Sequence, residues 1–245
     1  MDYALITGSS SGLGYCIAET FSKRGITPIL TGRDPQSLEC AAQSIRSCFD
    51  LNPIKFVKDL TEDSSPTDLY RFVRDQGLIP RYLIHNLGGG VKGDCKNPPL
   101  HILRKSFRLN IEVAIELNAL FYDDLKNYSS KIVHIGSTSS LHYDAPPSYL
   151  ISKAAIIPYV KNAAQSFAKD GLTIFAVLPG MLDHPGSYID RLMTQDPDRY
   201  VGFLKKMTYG RFVPSSEVAN YLVSLCLIDS TMINGSIVTI DGGVD

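Results

Sequence analysis

No long block of like charge, no closely spaced cysteine pair and no apolar run of membrane-spanning length occurs in the 245-residue sequence. Its 24 basic and 25 acidic residues nearly cancel, which argues against nucleic acid or an anionic membrane as partner and leaves small molecules as the expected ligands. The five cysteines (Cys16, Cys40, Cys48, Cys95 and Cys226) are odd in number and scattered, without CxxC spacing, so reduced thiols are expected rather than disulfides or a zinc site. "MDYALITG" lacks the basic segment and apolar stretch of a secretion signal, and the expectation is a soluble cytoplasmic protein. Repeats, low-complexity tracts and linkers are also lacking. One domain over residues 1–245 is the consequence.

What is present is a hydrophobic content of 44%, enough for a sizeable core, distributed as an alternation. "YALIT", "TPILT", "IKFV", "YLIH", "KIVHIG", "LTIFAVL" and "SIVTI" read as strands. Between them lie amphipathic segments, predicted as helices over Leu13 to Arg24, Pro35 to Phe49, Ser65 to Asp75, Leu103 to Leu125, Ser148 to Lys169 and Glu217 to Leu227. Strand alternating with helix implies an α/β fold in which right-handed crossovers place helices on both faces of a parallel sheet. Residues 181–214 break the rhythm with Pro, Gly, Tyr and Met, as a small lid after the sixth strand would.

The first strand runs into "TGSSSGLG", Thr7 to Gly14, and then into a helical pattern. Gly8 permits a tight turn, Gly12 lets backbone N–H groups approach a pyrophosphate, and Gly14 allows close helix packing, with the helix N-terminus favouring the anion. The bland alternative is an ordinary glycine and serine turn. At the end of the second strand, where NAD-binding proteins carry an acid for the ribose 2'-hydroxyl, stand Gly32 and Arg33. A guanidinium suits a 2'-phosphate, so NADP(H) is expected in preference to NAD(H), unless Arg33 is merely a solvated surface arginine. Asp34 reads as the N-cap of the helix beginning at Pro35.

Two segments hold tyrosine and lysine one helical turn apart: "YLISK", with Tyr149 and Lys153, and "YDDLK", with Tyr122 and Lys126. Only the first follows a serine, Ser137, at the C-terminal end of a strand, where open α/β sheets bind ligands; the second reads as a solvated helix end. Together with the glycine turn these motifs resemble the short-chain dehydrogenase/reductase family over essentially the whole chain. "TGSSSGLG" resembles its cofactor turn, with Ser10, Ser11 and Leu13 among the contacts. Asp59 and Leu60 resemble its adenine-contacting pair, Asn86 and Gly88 match two positions after the fourth strand, and Pro179 and Gly180 close the sixth. His85 and Leu87 depart from the pattern.

The resemblance implies a doubly wound Rossmann-type fold with a seven-stranded parallel sheet, a homodimer or homotetramer, and a catalytic set of Asn110, Ser137, Tyr149 and Lys153. A ketone and a secondary alcohol would interconvert by hydride transfer. Ser137 would polarise the substrate oxygen, Tyr149 would act as general acid or base, Lys153 would hold the nicotinamide ribose and favour the tyrosinate, and Asn110 would hold a relay water. The rival reading is a non-catalytic NADP-binding sensor or interaction protein. Ser137 has Thr138, Ser139 and Ser140 as neighbours that cap turns equally well, and Asn110 suits buried packing. His85 and His134, on strands, read as hydrogen-bonded core residues. His184 stands where the family commonly carries a threonine that meets the nicotinamide. Gly88 to Gly90 suggest a mobile, side-chain-poor rim, and His142, Tyr143, Met181, His184, Tyr188 and Met193 are the expected substrate-lining residues.

Overall fold

A computed structural model describes residues 2–126 and 128–244. The chain runs β1 (Tyr3–Ile6), α1 (Gly12–Ser22), β2 (Thr27–Gly32), α2 (Pro35–Phe49), β3 (Ile54–Val57), α3 (Ser65–Asp75) and β4 (Tyr82–His85). It continues through α4 (Leu100–Phe107), a π-helical turn (Arg108–Glu112), α5 (Val113–Leu125), β5 (Lys131–Ile135), the single turn α6 (Ser139–His142), α7 (Pro147–Ala154) and α8 (Ile156–Phe167). After β6 (Thr173–Pro179) come β7 (Leu182–Asp183), α9 (Tyr188–Gln195), α10 (Pro197–Leu204), β8 (Val213–Pro214), α11 (Ser215–Leu227) and β9 (Ile237–Ile240).

The main sheet has seven strands in the order β3-β2-β1-β4-β5-β6-β9, all pairs parallel. It is the doubly wound arrangement expected. Strand order reverses between β1 and β4, which leaves a crevice at their C-terminal ends.

Alternation along the strands decides which helices cover which face. Ile6, Leu30 and Ile84 pack with Leu13, Ile17, Leu38 and Leu222 from α1, α2 and α11. Leu5, Ile29, Leu83 and Ile132 pack on the other face with Leu69, Leu117, Phe121 and Val160 from α3, α5 and α8. Phe121 is fully buried there, and its truncation to alanine would cost about 3–5 kcal/mol.

Two predicted helices are each divided. The segment predicted from Leu103 starts at Leu100 and contains the π turn around Asn110. There the Asn110 amide donates to the Ser106 carbonyl oxygen (3.0 Å), a side-chain bond that competes with the helical ladder and loosens it. The segment predicted from Ser148 to Lys169 breaks at Ala155 and ends in a 3₁₀ turn at Asp170. Pro158 lacks an N–H and crowds the carbonyl four residues back, that of Ala154, where α7 stops.

Within residues 181–214, β7 and β8 pair in parallel and bracket α9 and α10, whose caps are Ser187 and Asp196. Ile189, Leu192, Met207 and Phe212 form a small core beneath them. Among the described residues no helix is long and apolar enough to cross a membrane.

Candidate active site

At the crevice, Gly8 (φ +64°) and Gly12 (φ +58°) adopt the left-handed conformation that glycine tolerates best. Gly14 is required for a different reason: a Cβ there would lie 2.2 Å from the Gly8 carbonyl oxygen. Asn86 holds the turn to the end of β4 by donating to the carbonyls of Thr7 (3.1 Å) and Gly8 (2.8 Å). Ser11, the N-cap of α1, makes no side-chain capping bond, and the first turn carries no acidic residue. The N–H groups of that turn are therefore free to meet an anion. A cleft of about 300 Å³ starts here, between Gly8, Gly12 and Leu13, and reaches Ser137, Tyr149 and Lys153. Such a glycine cradle with helix-end donors fits the diphosphate of a dinucleotide.

The residues expected at the adenine end lie outside this cleft. Arg33 is 82% exposed at its side chain, with Nη1 3.9 Å from Asp59 Oδ2, so it is free to reorient toward a ligand. A Cβ on Gly32 would stand 3.3 Å from Ser10 Oγ, which places Ser10 beside the same strand end. Asp59 Oδ1 accepts from the Thr61 N–H (2.9 Å) and hydroxyl (2.7 Å). Leu60 is buried in the core. Its side chain is thus withdrawn from any ligand, and only its backbone remains to meet one.

At the far end, Ser137 follows β5 and Gly136, and its hydroxyl lies against the Tyr149 phenol while also accepting from the Ser139 N–H (3.2 Å). The serine therefore both caps a turn and reaches the tyrosine. Desolvation raises the Tyr149 pKa, the Ser137 hydroxyl opposes this, and Asp144 adds to it. Lys153 is buried, and its Nζ donates to the Ile135 carbonyl oxygen at 2.6 Å. Desolvation lowers its pKa to about 8. Desolvation is the largest influence on Tyr149, and the lysine is not among the groups that lower its pKa.

Asn110 lies on the same side. Its Oδ1 accepts from the Gly89 N–H (2.8 Å), and its amide donates to the Gly89 carbonyl (3.1 Å). A Cβ on Gly88 would meet Asn110 Oδ1 and Lys153 Nζ, each at 2.8 Å. The start of the glycine run therefore lies close against two candidate catalytic side chains, while a Cβ on Gly89 or Gly90 would meet nothing within 4 Å. Farther along, Asp94 accepts from the N–H groups of Ser148 (3.3 Å) and Tyr149 (3.0 Å), capping α7.

Several expected lining residues stand apart from the cleft. His142 and Tyr143 are exposed, the latter in a left-handed conformation (φ +57°). Tyr188 and Met193 are exposed on α9, and Met181 packs against the small core of the lid. Pro179, Gly180 and His184 do line it. Tyr122 is not the solvated helix end expected: its ring packs on Phe167 and its hydroxyl donates to Asp170. His85 and His134 are buried and joined through Asn118, as expected of core histidines. Asp94, Ile135 and Leu182 escaped the sequence reading, because no local motif marks them.

Comparison with known proteins agrees with this geometry. The family described as enoyl-(acyl carrier protein) reductase matches residues 8–245. The 3-oxoacyl-(acyl-carrier-protein) reductase FabG of Escherichia coli is 25% identical over 249 residues, 98% of this chain and 96% of that protein. The structure of L-sorbose reductase from Gluconobacter frateurii, complexed with NADPH and L-sorbose, superposes with a TM-score of 0.91 at 25% identity, covering 99% of this chain and 96% of that one. A short-chain dehydrogenase from Burkholderia cenocepacia in complex with NADP shares the fold, with a TM-score of 0.88 at 21% identity over 99% of this chain and 97% of that one. By its matched length, its sheet order and its glycine turn, the chain belongs to the short-chain dehydrogenase/reductase family of oxidoreductases.

Proposed function

We propose that this protein is an NADP(H)-dependent reductase that interconverts a ketone and a secondary alcohol, with residues 1–245 acting as one domain and residues 181–214 as its lid. The observation that carries the reading is that one cleft joins the glycine turn to Ser137, Tyr149 and Lys153. A reduced nicotinamide supplies the hydride when bound. Ser137 Oγ donates to the carbonyl oxygen and orients it, and Tyr149 delivers its phenolic proton to the developing alkoxide. In the oxidative direction the same oxygen removes that proton. Lys153 binds the nicotinamide ribose, and Asn110 holds a water that passes protons onward from the lysine.

Arg33, with Ser10 beside it, binds the 2'-phosphate. Oxoacyl, sugar-type and other carbonyls all remain within the substrate class, in keeping with the E. coli and G. frateurii relatives. Exposed free thiols at Cys40, Cys48 and Cys95 suit a reducing cytoplasm. Ile115 on α5 and Ile151 on α7, both exposed, suit burial in a homodimer or homotetramer. The test is a panel of oxoacyl, sugar and apolar ketones followed by NADPH absorbance. Turnover of a ketone by the parent and none by Tyr149→Phe supports the reading; binding of NADPH without turnover of any ketone or alcohol favours the sensor.

A further inference from the structure

His184 stands at the lid side of the cleft, but its ring lies over the glycine turn rather than at the catalytic end. A Cβ on Gly12 would meet its Cε1 at 2.9 Å, its Nε2 at 3.1 Å and its Nδ1 at 3.3 Å, so the imidazole is packed against the first residue of α1. Its Nδ1 lies 3.0 Å from the Pro185 carbonyl oxygen. A carbonyl only accepts, so Nδ1 carries a hydrogen and Nε2 is the nitrogen left for a ligand. The neighbouring helix end is an uncapped row of N–H donors with no acid in its first turn. The backbone is set as well: the Ser187 N–H donates to the His184 carbonyl (3.0 Å), and β7, which ends at Asp183, pairs with β8.

From this placement we infer that His184 is a cofactor-positioning residue that closes the lid onto the dinucleotide diphosphate, rather than a contact of the nicotinamide or of the substrate. The inference rests on the NADP(H) reading above. The ring moves off Gly12 as the diphosphate enters, releases the Pro185 carbonyl and, as the Nε2–H tautomer, donates to a phosphate oxygen. Asp183 precedes it in the chain, and Asp190 and Arg191 hold Gly186, two residues on, by accepting from its N–H and donating to its carbonyl. Pro214 of β8 and the first turn of α1 bring no charge of their own.

The experiment needs no substrate. Calorimetric titrations compare the parent, His184→Ala and His184→Gln with three probes: NADP+, 2'-phospho-ADP-ribose, which keeps the diphosphate but lacks nicotinamide, and 2'-AMP, which lacks the diphosphate. His184→Ala should weaken NADP+ and 2'-phospho-ADP-ribose alike, each by about tenfold, and leave 2'-AMP unchanged. His184→Gln, whose amide keeps a donor at similar reach, should recover most of the loss. A loss confined to NADP+ would assign the ring to the nicotinamide and overturn the inference, as would no loss, or a loss shared by 2'-AMP. A parent that binds none of the three probes would instead remove the NADP(H) reading itself.

Discussion

Lys153 Nζ donates a 2.6 Å hydrogen bond to the carbonyl oxygen of Ile135, the last residue of β5 and two residues before Ser137. A neutral acceptor repays little of the cost of burying an ammonium, and desolvation lowers the lysine pKa from 10.5 to about 8. The charged form thus carries a penalty that is fully present below pH 8 and fades as pH rises toward 10.5. Lys153→Met should raise stability at pH 7 by about 1–2 kcal/mol after loss of the hydrogen bond, while abolishing turnover. Urea unfolding at pH 7 and pH 10 measures the penalty and its fading, and an activity assay the loss of turnover; a variant no more stable than the parent at pH 7 would show that the buried charge is compensated.

Tyr149→Phe should lower turnover by a hundredfold or more, because a positioned acid contributes about 10²–10⁴-fold, and should leave NADPH affinity nearly unchanged. Tyr122→Phe is the companion measurement. It should leave turnover intact yet lower stability by about 1 kcal/mol, because the hydroxyl that donates to Asp170 is removed. Retention of more than about a tenth of turnover in Tyr149→Phe would take the acid role from that residue.

His85 is buried against His134, with ring centroids 4.6 Å apart, and its Nε2 lies 2.7 Å from Asn118 Oδ1. Desolvation lowers its pKa from 6.5 to about 4, and His134 is lowered well below its ordinary value, by desolvation and by the charges of His85 and Lys153. The unfolded chain therefore binds protons that the native one refuses, and stability falls as pH drops from 6.5 to about 4. From His85 alone the loss is about 3 kcal/mol at its limit. His85→Asn should flatten the dependence of unfolding free energy on pH in that window. Identical slopes in parent and variant would assign the acid sensitivity to carboxylates instead.

Cofactor choice rests on Arg33 and on the missing side chain at Gly32. A charge-assisted contact to the 2'-phosphate contributes about 1.5–3 kcal/mol, so NADPH should bind about ten- to a hundredfold tighter than NADH. Arg33→Ala should erase most of that difference while sparing NADH. Gly32→Asp with Arg33→Ala should reverse it, since a Cβ at position 32 has a closest neighbour at 3.3 Å, Ser10, that can shift slightly. Fluorescence titration of both cofactors decides the matter, and a parent with equal affinities would reduce Arg33 to a surface arginine.

The sequence by itself determined the strands and the helical crossovers between them, because each strand is a short apolar run and each crossover a periodic one, and these patterns are local. "IKFV" and "YLIH" became β3 and β4 with the bounds read from the chain, and α2 and α3 likewise. The glycine turn and the serine, tyrosine and lysine were legible for the same reason: their motifs fall within a strand end or one helical turn. Tertiary structure decided what depends on residues far apart in the chain. Asp94 caps the helix that carries Tyr149, Ile135 holds the lysine, and His184, which follows β6, reaches Gly12, which follows β1, although β4 and β5 lie between those strands. It also took Tyr143 and Tyr188 away from the cleft, since the path of a loop is set by what it packs against. A hydrogen bond between distant residues leaves no periodic trace in the chain, and only the folded backbone brings its two ends within 3 Å.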